Sequence, residues 1–442
     1  MLESLKRLTK HSAIYGLGNI ITRMDTFLLL PLHTNKLSAD DFGVSAILFM
    51  FIAIMTILYT YGIDAAFLRY FILSDDARKR REIFSTAFWG VAIFAIGLSI
   101  LIYLKADSCS SLLFTQGHYP HLVRLASLIL LFDAISFLPF LYLRAEEKSF
   151  WFIALKFLNV ITTLSLNFYF IVILKKGLTG IFLANAWASG VTFLLILFIL
   201  IKQVSLRFSW TDYKELLKFG LPYLPSTAAV ILLDLIDRLL LERLVGLEVT
   251  GIYQAGLKLG QVMALFVAAF RFAWHPFFLS TSKQEDAKEI FAKILTYFTT
   301  FCAIIFLAIS FFVDEIVRFN FFGVTLIGKE FWSGTQVVPL IIFSQLIYGM
   351  YVNFVVGIHL EKKTKFLPLI TGAGLTVNVA VNLFLIPKIG MLGAGYAKVA
   401  GYIIMAGLLY SVSRRYYPIS YEFKRLAQLA IVVAVLFYFG YS

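Results

Sequence analysis

The chain has 442 residues, 60% of them hydrophobic and only 15% charged, with a formal net charge of +13 and a mean hydropathy of +0.85. A soluble domain is about 45–50% apolar and about 25% charged, so this composition excludes an ordinary soluble fold and defines an integral membrane protein. Two cysteines far apart, Cys109 and Cys302, exclude a disulfide framework and match no zinc or redox spacing.

Apolar runs long enough to cross about 30 Å of hydrocarbon as helices fall at 12–35, 43–72, 83–104, 122–143, 151–174, 178–201, 218–241, 249–279, 290–313, 334–359, 366–387 and 391–412. A shorter run at 425–441 gives a thirteenth helix, either spanning or lying on the surface. The first run starts near Ser12 and carries charges, unlike the short apolar region of a cleavable signal. Within it, "GNIITRMDTFLLLPLHT" (18–34) holds Arg23 and Asp25. Each charge costs roughly 2.5–3.5 kcal/mol at a helix centre, so neither is expected to face lipid. The two point about 200° apart around a helix, so one shared ion pair does not explain both.

Basic residues set the orientation. One side of the predicted layout collects 23 of them, including "ARKRRE" (77–82), Arg144, Lys148, "KKTK" (362–365), Arg414 and Arg415; the other side holds nine. By the positive-inside rule the N-terminus is cytoplasmic. The net charge therefore reads as topology and attraction to anionic lipid heads, not as a nucleic-acid footprint.

The chain also repeats at an interval of roughly 210 residues. "SDDARKRREIF" (74–84) returns as "SKQEDAKEIF" (282–291), "AEEKS" (145–149) as "LEKKT" (360–364), and "KKGLTGIFLANA" (175–186) as "PKIGMLGAGYAK" (387–398). Each copy holds six spans, an even number, so the copies share one orientation. Such parallel repeats are related by an axis along the membrane normal, with a substrate site between them. The expected fold is all-α, with an N-terminal lobe over 1–205, a C-terminal lobe over 206–416 and the extra helix over 417–442.

Seven basic residues lie inside spans: Arg23, Arg69, Lys156, Arg238, Lys258, Arg271 and Lys398. The acids there are Asp25, Asp64, Asp133, Asp234 and Asp237. Most fall on spans 1, 2, 7 and 8, the two symmetry-related hairpins, which predicts a shared water-filled cavity. Arg23, Asp25, Arg69, Arg238, Lys258 and Arg271 are its candidate lining. Gln254, Lys258 and Gln261 add a polar stripe along span 8.

Simpler readings stand beside these. Asp234 and Arg238, four residues apart, can neutralise each other; Arg69 and Arg271 can snorkel to the interface; Asp133 and Lys156 can form an interhelical pair; Lys398 fits packing or lumen. Pro31, Pro139, Pro222, Pro225, Pro276 and Pro339 interrupt or edge spans, where proline bends a helix. No nucleotide-binding glycine loop, clustered metal ligands or long extramembrane loop is found in the sequence, so no cofactor or metal is expected and no enzyme chemistry is indicated.

The opening layout "HSAIYGLGNIITRMDTFLLLPLHTNKLSADDFGVSAILF", with Asp41, Phe42 and Gly43 before span 2, resembles the multidrug/oligosaccharidyl-lipid/polysaccharide flippase superfamily, in its polysaccharide and O-antigen branch. "GLEVTGIYQAGLKL" (246–259) and "LFLIPKIGMLGAGYA" (383–397) are similar to the second-half counterparts. The resemblance covers about residues 1–415. It implies a flippase in the bacterial cytoplasmic membrane that exports undecaprenyl-pyrophosphate-linked oligosaccharide by alternating access between two lobes arranged as a V. Arg23 and Asp25 match the pattern of a cavity-lining basic residue with an acid nearby. A polysaccharide polymerase is the implied partner.

An Arg or Lys in a low-dielectric cavity can hold a pyrophosphate without enzyme chemistry. A multidrug exporter of the same superfamily is the alternative, although organic cations favour acids and aromatic faces. A membrane glycosyltransferase or polymerase would need a catalytic constellation on a sizeable loop, which the sequence lacks. Without a nucleotide site, drive must come from substrate equilibration or from a proton or sodium gradient. Asp64 is the first candidate for ion coupling and Asp25 the second, because their nearest basic neighbours point elsewhere on the helix.

Overall fold

The computed structural model describes residues 27–321 and 323–441, and they are overwhelmingly helical. Among the described residues, eleven helices are long and apolar enough to cross a membrane, the last being Phe423–Gly440. Contacts divide the described chain into two compact units. One joins the stretch ending at Leu37 to Val44–Ile231, and the other joins Ser38–Gly43 to the chain from Leu232 onward. This division falls beyond the 205/206 boundary drawn from the sequence.

The first unit holds α1 (Leu30–Lys36), most of α2 (Ala39–Thr60), α3 (Ile63–Leu73), α4 (Ala77–Leu104), α5 (Ala106–Leu113) and α6 (Pro120–Ala145). It continues through α7 (Ser149–Asn167, extended by a π-turn over Phe168–Ile173), α8 (Gly177–Gln203) and α9 (Trp210–Gly220). The sequence predicts one unbroken span over 43–72. Instead, the helix breaks between α2 and α3, where Tyr61 has φ 33° and Gly62 φ 74°. The break carries a close backbone contact: a Cβ on Gly62 would strike the carbonyl of Gly220, and one on Gly220 would meet the Gly62 carbonyl at 2.6 Å. Only glycine combines that φ with that approach. The Tyr61 and Tyr213 phenols meet at 3.2 Å beside it.

Span 7, expected at 218–241, is also corrected. The chain first forms α9, capped by Ser209, whose hydroxyl accepts from the Asp212 N–H. Asp212 pairs with Lys79 of α4 at 2.7 Å. A 3₁₀ turn over Leu221–Tyr223 follows, and α10 runs Leu224–Val245. Pro222 and Pro225 supply no backbone donor, so the ladder cannot run through.

From Leu232, the second unit holds the rest of α10, then α11 (Leu247–Gly260), α12 (Val262–Thr281) and the long α13 (Ala287–Arg318). A hairpin of two-residue strands, β1 (Asn320–Phe321) and β2 (Val324–Thr325), and a 3₁₀ stretch over Lys329–Val337 lead into α14 (Val338–Leu360). The unit closes with α15 (Leu367–Ile389), α16 (Met391–Tyr416) and α17 (Phe423–Tyr441). Leu233, Leu295, Phe354, Ile370, Met405 and Leu409 form one core cluster around α14 and α16. The Phe437 ring of α17 packs 5.2 Å from Phe306 of α13, and Thr296 donates to Glu422 at 2.7 Å. Span 8, expected whole over 249–279, breaks at Gln261, where a Cβ on the preceding Gly260 would press on Ile341 at 2.6 Å.

The repeat is realised turn for turn. Glu147 and Lys362 both take positive φ, 54° and 53°. Their following residues close the same bond, Lys148 N–H to Leu143 and Lys363 N–H to Ile358, each at 2.8 Å. Gly177 and Gly390 also share positive φ, 52° and 57°. Three residues on, Gly180 and Gly393 leave room for the helix before, at Phe170 and Leu385 respectively. The prolines divide between helix edges and helix interiors. Pro31, Pro222 and Pro339 occupy first turns, where no donor is needed; Pro139 lies within α6 and Pro387 within α15.

Candidate functional site: charged side chains within the spans

In the second unit α10 carries Asp234, Asp237 and Arg238. The sequence pairs Asp234 with Arg238; the structure does not. Arg238 reaches the Asp237 carboxylate at 3.5 Å, while its Nη1 donates to the Asp234 carbonyl at 2.9 Å. Its Nε donates to Oε1 of Gln254 at 2.8 Å. From α16, the Lys398 ammonium lies 3.0 Å from Asp237 and 3.8 Å from Asp234, and also donates to the Asp234 carbonyl. The Tyr253 phenol donates to Asp237, and the Tyr402 phenol donates to Asp234 at 2.5 Å. Two carboxylates thus face two cations, and Asp237, Arg238 and Lys398 are buried.

Burial without compensation would cost several kcal/mol per charge, so these groups hold one another in place. Gln254 is correspondingly an internal acceptor for Arg238. The polar stripe is also cut short, since Gln261 sits at the α11–α12 break. Tyr253 and Tyr402 are missing from the sequence reading. Their signal was only that each lies near a charge on an apolar helix.

Two further cations belong to this unit. Lys258 is half-buried, its ammonium 5.0 Å from the centre of the Phe42 ring. Arg271 on α12 is exposed and donates to the Tyr348 phenol at 3.0 Å. The Tyr348 ring lies 5.3 Å from that of Tyr402. A continuous path of contacts therefore runs from exposed Arg271 through two tyrosines to the buried charges.

In the first unit Arg69 and Asp64 lie on α3, both exposed. The Arg69 guanidinium stands 4.6 Å from the Phe219 ring of α9, a cation–π contact. Lys156 sits 4.2 Å over Phe140. Among the described residues no carboxylate lies within 4.0 Å of Arg69 or Arg271. Arg23 and Asp25 lie outside the described residues.

Two compact units of membrane-length helices with repeated turns define an all-helical, multi-pass membrane fold. The structure matches that of the lipid II flippase MurJ in its inward closed conformation, with a TM-score of 0.77, 15% identity, and coverage of 96% of this chain and 92% of that one. It matches the inward-facing form of a multidrug resistance MATE family transporter with a TM-score of 0.65, 14% identity, and coverage of 90% and 97%. In sequence, the chain is 23% identical over 286 residues to the Lsg locus putative protein 1 of Haemophilus influenzae, covering 62% of this chain and 67% of that protein. The family described as "Polysaccharide biosynthesis protein" matches residues 8–282. The chain belongs to that family.

Proposed function

We propose that the protein carries an undecaprenyl-pyrophosphate-linked oligosaccharide from the cytoplasmic to the outer leaflet of the bacterial cytoplasmic membrane, by alternating access, for surface polysaccharide synthesis. Its N-terminus is then cytoplasmic, and a polysaccharide polymerase takes up the product. The observation that carries this reading is the pair of exposed arginines on corresponding helices of the repeat. Arg69 and Arg271 are supported by an aromatic ring and a phenol, with no described carboxylate in ion-pair range. Guanidinium forks held in this way suit the paired oxygens of a pyrophosphate. The lipid tail stays in the bilayer, so only the head group needs polar partners. Arg23 and Lys258 are proposed to add further positive charge for the same head group.

Exposed Asp64 favours a second reading, an exporter of organic cations, and the same residue is the proposed site of proton or sodium coupling. Proteoliposomes decide between the two. Fluorescent lipid-linked oligosaccharide should change leaflets in protein-bearing vesicles, whereas an organic cation dye should not be expelled. Dye export without lipid movement would overturn the flippase reading. An imposed gradient that leaves the flipping rate unchanged, in the parent and in Asp64→Asn alike, would remove the coupling role.

A further inference from the structure

The first unit contains a cavity of about 510 Å³ between α6, α7 and α8, which none of the charges within the spans lines. Its walls are Tyr142, Leu143, Trp151, Leu155, Leu195 and Phe198, with Lys148 and Gln203 at one end. We propose that this groove binds one anionic phospholipid, with an acyl chain along the apolar walls and the phosphate at Lys148.

The groove is apolar in depth and cationic at its mouth. From Gln203 back to Leu195 is eight residues of helix, about 12 Å at 1.5 Å per residue, and everything below the mouth is hydrocarbon or aromatic. Trp151 and Phe198 are 59% and 71% exposed. A large apolar surface of this kind on a membrane helix is covered by lipid tails.

The mouth is preformed. The Lys148 ammonium stands 4.9 Å from the centre of the Tyr142 ring and donates to the phenol at 3.2 Å, which holds it over the opening. Gln203, the last residue of α8, gives its carbonyl to Arg81 Nε at 3.2 Å, and this brings a second cation to the rim. The segment beyond is fastened to α4: Trp89 donates to the Ser205 carbonyl at 2.9 Å, and the Ser205 N–H donates to the Ser85 hydroxyl at 2.9 Å.

The charge at this end is net positive. Arg80 engages Glu146 at 3.6 Å, which leaves exposed Arg81, Arg144 and Lys148 against Glu147. Basic pockets between membrane helices recognise anionic lipid heads by this combination. A zwitterionic head group would set its own ammonium among these cations, so the site discriminates by charge.

Native mass spectrometry of the full-length protein tests this, after purification into micelles holding equal phosphatidylglycerol and phosphatidylcholine. The parent should retain one phosphatidylglycerol with about a fivefold preference, the weight of one cation near an anionic lipid. Arg81→Gln with Lys148→Gln should erase the preference at an unchanged melting temperature. Leu195→Trp, which fills the groove, should reduce retention of both lipids. Equal retention of the two lipids by the parent, or an undiminished preference in the glutamine variant, would overturn the site. Displacement of phosphatidylglycerol by equimolar undecaprenyl phosphate would overturn it too, assigning the groove to the carrier lipid.

Discussion

Helices α3 and α10 both place acids and arginines in apolar surroundings, with opposite outcomes. On α10, Asp237 and Arg238 are buried, and their polar atoms are met by Gln254, Tyr253 and Lys398 from α11 and α16 of the same unit. On α3, Asp64 and Arg69 are exposed, and Arg69 rests on the Phe219 ring. A charge in an apolar helix is thus not by itself a sign of transport. The useful distinction is whether its own unit already satisfies it. A closed, neutral network acts as a post within the bundle; an exposed guanidinium on an aromatic support stays available to a ligand.

Removing one member of the closed network should have the largest effect. Lys398→Met leaves Asp237 buried with less compensation, and the loss should be about 3–5 kcal/mol of stability. Thermal unfolding in detergent should show it as a lower melting temperature. Adding Asp237→Asn should recover much of that loss. A single variant as stable as the parent would break the contrast between the two helices.

The two helix breaks sharpen the comparison at backbone level. Gly62→Val should cost about 1–3 kcal/mol, because its positive φ and the Gly220 carbonyl are both intolerant of a side chain. Gly97→Ala is the control, since a Cβ there meets nothing within 4 Å. Equal melting temperatures for the two would show that the Gly62 contact does not constrain the break.

The smallest effect should come from the link between the exposed and buried sets. Tyr348→Phe removes the phenol that accepts from the exposed Arg271. Flipping should slow a few-fold with little change in melting temperature. A complete loss of transport would mean that Tyr348 itself meets the substrate.

Much of this architecture was legible because hydropathy and repeated turns are local properties. The "AEEKS" and "LEKKT" segments do fold into matching positive-φ turns, and the glycine pairs at 177/180 and 390/393 make matching close approaches. The breaks after Thr60 and Gly260 were not legible. Both neighbouring segments are apolar, and the residues that crowd the glycines there, Gly220 and Ile341, are far away in sequence. The start of span 7 was misplaced because α9 ends in the apolar residues that lead into Pro222. The partner of Asp237 was hidden for the same kind of reason. Helical spacing favours Arg238 with Asp234, yet Lys398 arrives from α16 and binds Asp237, as only the packed unit reveals.

The central claim is that the exposed arginines handle the anionic head group while the buried network holds the fold. Proteoliposome flipping of lipid-linked oligosaccharide, measured beside melting temperature, tests it in one experiment with two paired variants. Arg69→Gln with Arg271→Gln should lower flipping by tenfold or more, in line with about 1.5–3 kcal/mol for each lost charge-assisted bond, at the parent melting temperature. Asp237→Asn with Lys398→Met should keep most of the flipping rate. Full flipping in the arginine variant, with transport lost from a well-folded network variant, would contradict the account.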